Sequence, residues 1–240
     1  MKKVTIIIPA YNEELRIGAT VEAYSNYFSN LRSTGVLEYE LIVVLNGCVD
    51  NTLAVVQSAQ ATFGSIVIVD LQSVAGKGVA IKAGFIDALQ RPNDYIGFVD
   101  ADMATLPEYF YELVKNIDGY DGVIASRYME GAQLFPPRPW IKRFGSWLVY
   151  ESLVTLLFGL RCKDYQCGAK LFKRHVIEVI APRLTIKQWA FDVELLYLCK
   201  KAGFTVIEIP TVWYDREGSK LKLSNGFKML SSLIKLRLKG

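Results

Sequence analysis

Two aspartates, Asp100 and Asp102, follow a short apolar run at residues 96–99 and are separated by a single residue. A run of that length is typical of a buried strand, and Pro107 stands where a following helix would begin. In open α/β sheets, ligands bind beyond the carboxyl ends of the strands. Carboxylates at such a place, together with substrate phosphates, are typical ligands of magnesium-type cations. The spacing therefore indicates a divalent-cation site, although a strand end followed by a capped turn explains the same residues equally well.

A second candidate is the turn Gly76-Lys77-Gly78, which precedes a predicted helix. It lacks the hydroxyl residue that a Walker phosphate loop needs after its lysine, and Ile81 stands where a dinucleotide-binding fingerprint needs its third glycine. Free N–H groups at a helix start, together with the Lys77 ammonium, would nevertheless suit a phosphate or a sugar hydroxyl. A plain loop leading into a helix is the alternative.

Composition argues against several other kinds of site. The 240 residues include four cysteines and one histidine and carry a net charge of +4. Cys162 and Cys167 lack the second pair of ligands that a zinc site needs, and catalysis by a serine or cysteine with histidine would depend on His175 alone. The charge is too small to indicate a nucleic-acid partner. The cysteines are typical of reduced thiols in a cytosolic protein, and we expect neither a signal peptide nor an apolar run of the ~18 residues that a spanning helix needs.

Strand-like and helix-like segments alternate through the first half of the chain and position these candidates. Strands are expected at residues 4–8, 41–45, 66–69, 96–99 and 122–126, and helices at residues 13–28, 51–62, 75–89 and 107–116. This alternation predicts an α/β fold with right-handed βαβ units, in which helices flank a mostly parallel sheet. Both candidates then lie at carboxyl ends of strands.

The alternation breaks after Arg127. A loop with three prolines is expected at residues 131–139, a long apolar helix at 140–158, a turn and strand at 164–173, a helix at 190–201 and a last strand at 205–209. We expect one domain over residues 1–221.

The remaining residues, 222–240, form an amphipathic tail. Phe227, Leu230, Leu233 and Ile234 share one face of its predicted helix, opposite basic and hydroxyl side chains. Such a helix either packs on the domain or lies on a membrane surface.

Taken together, these segments resemble family 2 glycosyltransferases of the GT-A fold, which is a Rossmann-like α/β domain. The family's order is followed by residues 8–14, 46–52, 76–80, 100–102 and 126–127. Residues 164–172, 189–196 and 218–221 are similar to polyprenyl-phosphate sugar synthases. The run Asp-Ala-Asp-Met-Ala-Thr looks closer to dolichyl-phosphate β-glucosyltransferases than to mannose synthases, which usually carry glutamine at the position of Ala104.

The resemblance implies transfer of a hexose, with glucose favoured, from a UDP-sugar to a polyprenyl or dolichyl phosphate, with inversion, at the cytosolic membrane face. It implies Mg2+ or Mn2+ held by Asp102 and Asp100. The residues implied at the nucleotide sugar are Pro9, Tyr11, Asn12, Glu13, Asn46, Lys77, Asp100 and Asp102. Those implied at the acceptor phosphate are Arg127, Arg143, Arg216, Ser219 and Lys220. Catalytic roles fall to Asp100, Arg127, Lys220 and Asp192, the last acting either as a base or as an orienting group.

Two departures from the family leave alternatives open. Leu45 and Asn46 stand where the second strand usually ends in two aspartates, so the nucleotide is not determined. The membrane anchor of the eukaryotic glucosyltransferases has no counterpart, so the lipid would be met peripherally by the apolar helix and the tail. The alternatives are mannose transfer from GDP-mannose to the same lipid, transfer to a soluble glycan, and a non-catalytic sugar-nucleotide binder.

Overall fold

The structure is a computed structural model that describes residues 1–72, 76–137, 151–216 and 225–239. The elements of the first half are β1 (Lys3–Ala10), α1 (Ile17–Ser33), β2 (Glu38–Leu45), α2 (Thr52–Thr62), β3 (Ile66–Asp70), α3 (Lys77–Leu89), β4 (Tyr95–Phe98), α4 (Pro107–Lys115) and β5 (Gly122–Ser126). The second half contains β6 (Gln133–Phe135), a helix α5 at residues 151–158, β7 (Lys170–Lys173), α6 (Arg174–Ile180), α7 (Phe191–Lys201), β8 (Val206–Pro210), β9 (Val212–Tyr214) and α8 (Asn225–Lys239).

Seven strands form the central sheet in the order β3-β2-β1-β4-β7-β5-β8. β7 runs antiparallel to both of its neighbours, and the other pairs are parallel. The predicted α/β class and mostly parallel sheet are therefore confirmed. The direction of strand order reverses between β1 and β4, and a ligand crevice is expected outside the carboxyl ends of strands at such a reversal.

The side chains of β1 point alternately into two cores, as successive residues of a strand must. Ile6 and Ile8 pack with α1 and α4 on one face of the sheet. Ile7 packs with α3 and with the helices of the second half on the other face. Burial on both faces explains why the central strands are continuous apolar runs.

Several elements differ from the sequence-based expectation. The loop expected at residues 131–139 contains β6, which pairs with β9 beyond the expected last strand. Each of these strands has only three residues, too few for a periodic pattern to stand out. The helix α6 was not expected. α1 begins four residues late, because the Glu13 carbonyl accepts the N–H groups of Arg16 and Ile17 in a separate turn.

The tail helix α8 packs on the domain along a row that differs from the expected one. Met229 and Leu233 are buried in the core shared with α7, and Leu236 is partly buried against it. Ile234, expected on the inner face, is 44% exposed, and Leu238 is 82% exposed. The inner row follows helical spacings of four and three residues, but it starts from Met229. No helix in the described ranges has the length and the apolar character needed to cross a membrane.

Candidate active site

The loops that follow β1 and β2 are fastened to each other at the carboxyl edge of the sheet. The N–H of Glu13 donates to Thr52 Oγ1 at 2.8 Å, and the N–H of Val49 donates to Asn12 Oδ1 at 2.9 Å. Asn12 has a φ of +50°, a left-handed conformation that asparagine adopts more readily than most residues. The two loops therefore form one continuous rim, on which Tyr11 is 44% exposed.

Three further residues predicted at the nucleotide sugar lie at the same edge. Pro9 is the penultimate residue of β1. The Glu13 carboxylate is paired with the Arg16 guanidinium at 2.7 Å. Asn46 follows β2 directly and is 3% exposed, and its Oδ1 finds no hydrogen-bond partner within the described part of the chain. A buried acceptor left in this state is costly, so Asn46 is available to a ligand that donates a hydrogen bond.

The register between β4 and β7 brings Gly168 opposite Asp100. Phe98 is paired with Lys170 in this antiparallel ladder. Asp100, two residues after Phe98, therefore faces Gly168, two residues before Lys170. A Cβ at position 168 would lie 2.0 Å from Asp100 Oδ2. The carboxylate thus occupies the space that any side chain at this position would need.

Lys77 supplies a cation beside this carboxylate. Its Nζ lies 2.5 Å from Asp100 Oδ1 and 5.7 Å from the centroid of the Trp189 ring. Burial alone would lower the pKa of Lys77, but Asp100 and Asp192 outweigh burial and raise this pKa above its ordinary value. Lys77 is therefore ionised at neutral pH and balances part of the negative charge at the end of β4.

Asp102, the other carboxylate of the predicted metal site, is held by the backbone of the turn that follows it. Its Oδ1 accepts the N–H of Ala104 at 3.0 Å. Burial and the neighbouring Asp100 raise the pKa of Asp102, because burial and a nearby negative charge both disfavour the charged form of a carboxyl group. A divalent cation would relieve this repulsion. Since Asp100 already contacts an ammonium, Asp102 is the better placed to be a direct ligand.

The chemistry of these donors fits a hard divalent cation shared with a ligand. The described residues contain no group of three or more histidine, cysteine, aspartate or glutamate side chains arranged to hold a metal. Mg2+ commonly binds through one or two carboxylates and completes its shell with substrate phosphates and water. Asp100 and Asp102 match that pattern, with oxygen donors that suit Mg2+ and Mn2+ equally.

Asp192, predicted as a catalytic residue, contacts a buried lysine. Lys170 Nζ donates to Asp192 Oδ1 at 2.5 Å and to the Cys167 carbonyl at 2.6 Å. Lys170 is fully buried and Asp192 is 2% exposed. Burial raises the pKa of Asp192, although Lys170 and Lys77 oppose this change. The pair is therefore part of the interior rather than of the open edge.

Arg127 is held in one orientation by a buried carboxylate. Its Nε and Nη2 donate to the two oxygens of Asp164 at 2.7 and 2.8 Å, and its guanidinium carbon lies 4.9 Å from the centroid of the Trp213 ring. Burial alone would lower the pKa of Arg127, but Asp164 outweighs burial and raises this pKa well above its ordinary value. Asp164 is itself held by Glu208, which accepts its N–H at 2.9 Å. Nη1 is the part of the guanidinium that Asp164 leaves free for a ligand.

The other residues predicted at the acceptor phosphate are less informative. Arg216 is exposed, and its Nη2 lies 3.5 Å from the Met103 carbonyl, beside the loop that carries Asp102. Arg143, Ser219 and Lys220 lie outside the described residues. Of the two members that the structure describes, Arg127 is the one held by a buried carboxylate.

The expectation of free N–H groups at the Gly76-Lys77-Gly78 turn is wrong for Gly78, and the next N–H group along the helix is occupied as well. The N–H groups of Gly78 and Val79 donate to the Lys187 carbonyl at 3.0 and 3.3 Å. A loop of the second half thus takes up donors that a helix start otherwise leaves unpaired. Lys77 therefore offers its side chain to a ligand, while the N–H groups of the two residues after it are already paired.

Sequence reasoning missed Lys170 and Asp164 as members of the site, although both lie in the segment 164–172 that it singled out. A sequence signal for Lys170 was present, because a lysine directly before the apolar pair Leu171 and Phe172 stands in a buried strand and needs an acidic partner. Asp164 had none beyond its place in the segment. Its partner Arg127 is 37 residues away, and only the fold brings them together.

A family model and several known proteins match this chain in sequence. The family model described as Glycosyl transferase family 2 matches residues 5–180. A dolichyl-phosphate beta-glucosyltransferase from Trichomonas vaginalis is 32% identical over 98% of this chain and 70% of its own length. A dolichyl-phosphate beta-glucosyltransferase from Dictyostelium discoideum is 30% identical over 98% of this chain and 74% of its own length.

Solved structures show a similar fold at low sequence identity. A glucosyl-3-phosphoglycerate synthase from Mycobacterium tuberculosis, in complex with Mn2+, uridine diphosphate and phosphoglyceric acid, superposes with a TM-score of 0.70 at 18% identity, over 97% of this chain and 76% of that chain. A mannosyl-3-phosphoglycerate synthase from Rubrobacter xylanophilus gives a TM-score of 0.68 at 15% identity, over 98% of this chain and 73% of that chain.

Proposed function

Because this chain belongs to glycosyl transferase family 2, we propose that it transfers a hexose from a nucleotide sugar to a polyprenyl or dolichyl phosphate. UDP-glucose is the favoured donor and Mg2+ or Mn2+ the cofactor. The relatives are named for β-glucosyl transfer to dolichyl phosphate, which supports this acceptor and this sugar. A structural neighbour holds Mn2+ and uridine diphosphate, which supports the donor class.

The observation that carries the proposal is the group Asp100, Asp102 and Lys77 at the carboxyl end of β4. Lys77 contacts Asp100 at 2.5 Å, and burial and Asp100 raise the pKa of Asp102. Such a group suits a diphosphate, because the carboxylates hold the cation and the ammonium adds a positive charge. When bound, a divalent cation supplies Lewis-acid stabilisation of the diphosphate leaving group.

The acceptor needs orientation more than it needs a base. An oxygen of the acceptor phosphate forms a bond to C1 of the hexose while the bond from C1 to the diphosphate oxygen breaks, and the configuration inverts. A phosphate monoester has a second pKa near ~6, so that oxygen already carries negative charge at neutral pH. Asp192 contacts Lys170 at 2.5 Å, which favours the orienting role over that of a base.

Charge compensation on the acceptor side is assigned to Arg127. Its Nε and Nη2 are held by Asp164, so Nη1 is presented in a fixed direction, and an oriented guanidinium suits phosphate oxygens. Arg143, Arg216, Ser219 and Lys220 are proposed to assist. The lipid is proposed to be met at the cytosolic membrane face by the tail, residues 222–240, and by the helix that includes residues 151–158, while residues 1–221 form the catalytic domain.

Labelled donors test the proposal directly. The chain is incubated with Mn2+, a polyprenyl phosphate and either radiolabelled UDP-glucose or GDP-mannose, and the products are extracted into organic solvent. We expect organic-phase label from UDP-glucose. We expect Asp102→Asn to reduce the rate by about 100-fold, the order typical of lost transition-state charge stabilisation. Asp118→Asn, a substitution at an exposed aspartate, should leave the rate unchanged.

Each other outcome rejects a defined part of the proposal. Label confined to the aqueous phase rejects the lipid acceptor. Organic-phase label only from GDP-mannose rejects the donor. Donor binding in calorimetry without any product rejects catalysis in favour of a binder. Full activity in Asp102→Asn rejects the metal assignment.

A further inference from the structure

A buried carboxylate on α7 organises a loop that has no part in the chemistry proposed above. Glu194 is 1% exposed. Its two oxygens each accept the N–H of Thr185 at 3.0 Å, and they accept the Thr185 hydroxyl at 2.6 Å and the N–H of Ile186 at 2.8 Å. An ionised carboxylate offers about four acceptor positions, so these contacts use it almost fully. Residues 185–188 are called the clamp loop below.

The clamp loop closes the amino end of α3. The Lys187 carbonyl accepts the N–H groups of Gly78 and Val79 at 3.0 and 3.3 Å. A Cβ at Gly76 would lie 2.3 Å from the Lys187 oxygen, and a Cβ at Gly78 would lie 2.3 Å from the Ile186 oxygen. The loop and the helix start are therefore in backbone-to-backbone contact, and neither can shift without the other.

This contact determines where the Lys77 ammonium lies. Lys77 is the first residue of α3, and its side chain is flanked by Trp189 and Phe191, with ring centroids 5.7 and 5.9 Å from Nζ. Both rings follow the clamp loop directly in the chain. The loop thus fixes the base of the Lys77 side chain through the backbone and its tip through the rings, which leaves Nζ at Asp100.

We infer that Glu194 is the positioning residue for Lys77. It contacts no substrate and acts through the clamp loop. Without its carboxylate, the N–H groups of Thr185 and Ile186 lose a charged acceptor at a partly buried place, and hydrogen bonds to charged groups are among the stronger ones. The loop then leaves the start of α3, and Lys77 loses its fixed geometry. The inference deepens the proposed function and rests on it where Lys77 is taken to serve the donor.

Hydrogen exchange tests the contact without any ligand. We expect the amides of Gly78 and Val79 to exchange at least about tenfold faster in Glu194→Ala than in the wild-type chain, since hydrogen bonds to a charged group are among the stronger ones. Glu194→Gln keeps one oxygen acceptor and should show an intermediate rate. Leu113→Ala, a core truncation in α4 on the other face of the sheet, controls for general destabilisation. Unchanged protection of the Gly78 amide in Glu194→Ala overturns the inference.

A double-mutant cycle tests the functional consequence. The Kd for UDP-glucose with Mn2+ is measured by calorimetry for the wild-type chain, Glu194→Ala, Lys77→Met and the double variant. We expect Glu194→Ala to weaken binding about tenfold in the wild-type background and less than twofold with Lys77→Met, because residues that act through one another are not additive. Equal losses in both backgrounds indicate a merely structural role and overturn the inference.

The two experiments separate the inference from the function it rests on. If Lys77→Met binds UDP-glucose as tightly as the wild-type chain does, the proposed donor role of Lys77 is wrong. The exchange rates then decide the positioning by Glu194 alone. If Lys77→Met binds weakly while Glu194→Ala binds normally, the donor role stands and the positioning is wrong.

Discussion

Lys77, Asp100, Asp192 and Lys170 form a row of alternating charges that leads from the carboxyl edge of the sheet into the core. The outer pair and the inner pair are each 2.5 Å apart, and the Lys77 pKa responds to both aspartates. Removing one member of a buried pair leaves its partner unpaired, which is strongly destabilising. Activity lost in an Asp192 or Lys170 variant therefore has to be compared with its free energy of unfolding before a catalytic role is assigned.

Glu151 carries a prediction about pH that is independent of the proposed metal site. Burial, followed by the charge of Asp164, raises the pKa of Glu151 to about 9, with Glu208 adding to the shift and Arg127 and Lys170 opposing it. Between its ordinary pKa and this value, the folded chain holds a proton that the unfolded chain releases. The free energy of unfolding therefore falls as the pH rises through this range.

We expect Glu151→Gln to weaken this pH dependence, because an amide does not titrate. The Tm of the wild-type chain should fall more steeply than that of the variant between pH values of about 5 and 9. Glu178→Gln, a substitution at a glutamate whose side chain is 50% exposed, should follow the wild-type curve. Parallel curves for Glu151→Gln and the wild-type chain would show that Glu151 is ionised in the folded state.

Among the elements, the antiparallel strand β7 and the segment before it supply the buried residues of the candidate site. Because β7 runs opposite to β4, Lys170 pairs with Phe98 and Gly168 meets Asp100. The segment that leads into β7 also carries Asp164, which orients Arg127. One inserted strand thus contributes to both the proposed donor side and the proposed acceptor side.

The contact between α3 and the clamp loop reverses the usual effect of replacing a helix glycine. Gly→Ala within a helix normally stabilises by about 1 kcal/mol. At Gly78, however, the new Cβ would lie 2.3 Å from the Ile186 oxygen and 2.8 Å from Phe191 Cβ. We expect Gly78→Ala to lower the free energy of unfolding by about 1–3 kcal/mol, the usual range for overpacking.

Urea denaturation at a constant slope measures this loss. Gly64→Ala is the matched control, because nothing lies within 4 Å of its Cβ position, and its free energy of unfolding should stay within about 0.5 kcal/mol of the wild-type value. A Gly78→Ala variant as stable as the wild-type chain would mean that the loop and the helix start are not in close contact.

For the whole molecule, the tail helix α8 presents apolar side chains on both of its sides. Met229 and Leu233 are buried against the domain, while Ile234 and Leu238 are 44% and 82% exposed. An apolar outer row with lysine and arginine beside it is typical of a helix at a membrane surface. The buried inner row would attach the folded domain to a membrane that the outer row contacts.

We expect the double substitution Ile234→Ser and Leu238→Ser to reduce cosedimentation with anionic lipid vesicles by several-fold, because both side chains would lose burial in the interface. The melting temperature should not change, since neither side chain is part of the core. Val36→Ser, at a position 49% exposed in a distant turn, is the control and should bind like the wild-type chain. Equal binding by the double variant would exclude α8 as the membrane contact.

The local hydrophobic pattern and the turn signals predicted the type and order of the elements in the first half of the chain, although α1 begins four residues late. The expected strand at residues 122–126 and the helix from Pro107 match β5 and α4 closely, because central strands are continuous apolar runs and helices carry their own start signals. The pattern failed for β6 and β9, which are stable only as a pair. It also failed for α8, where the row against the domain depends on the shape of α7.

The sequence by itself determined the family, the α/β class and the pair Asp100 and Asp102 at a strand end, because these depend on residue type and on short spacing, whereas the contact of Lys77 with Asp100 required the fold. Only the tertiary structure decided the partners: Gly168 behind Asp100, Asp164 on Arg127, Lys170 on Asp192, and Glu194 behind the clamp loop. Three of these contacts join residues from 22 to 68 positions apart and reflect strand order and register. No local pattern encodes such contacts. Glu194 is only 9 residues from Thr185, yet the sequence does not predict this contact. Its effect is to place the Lys187 carbonyl against α3, an element far away in the chain.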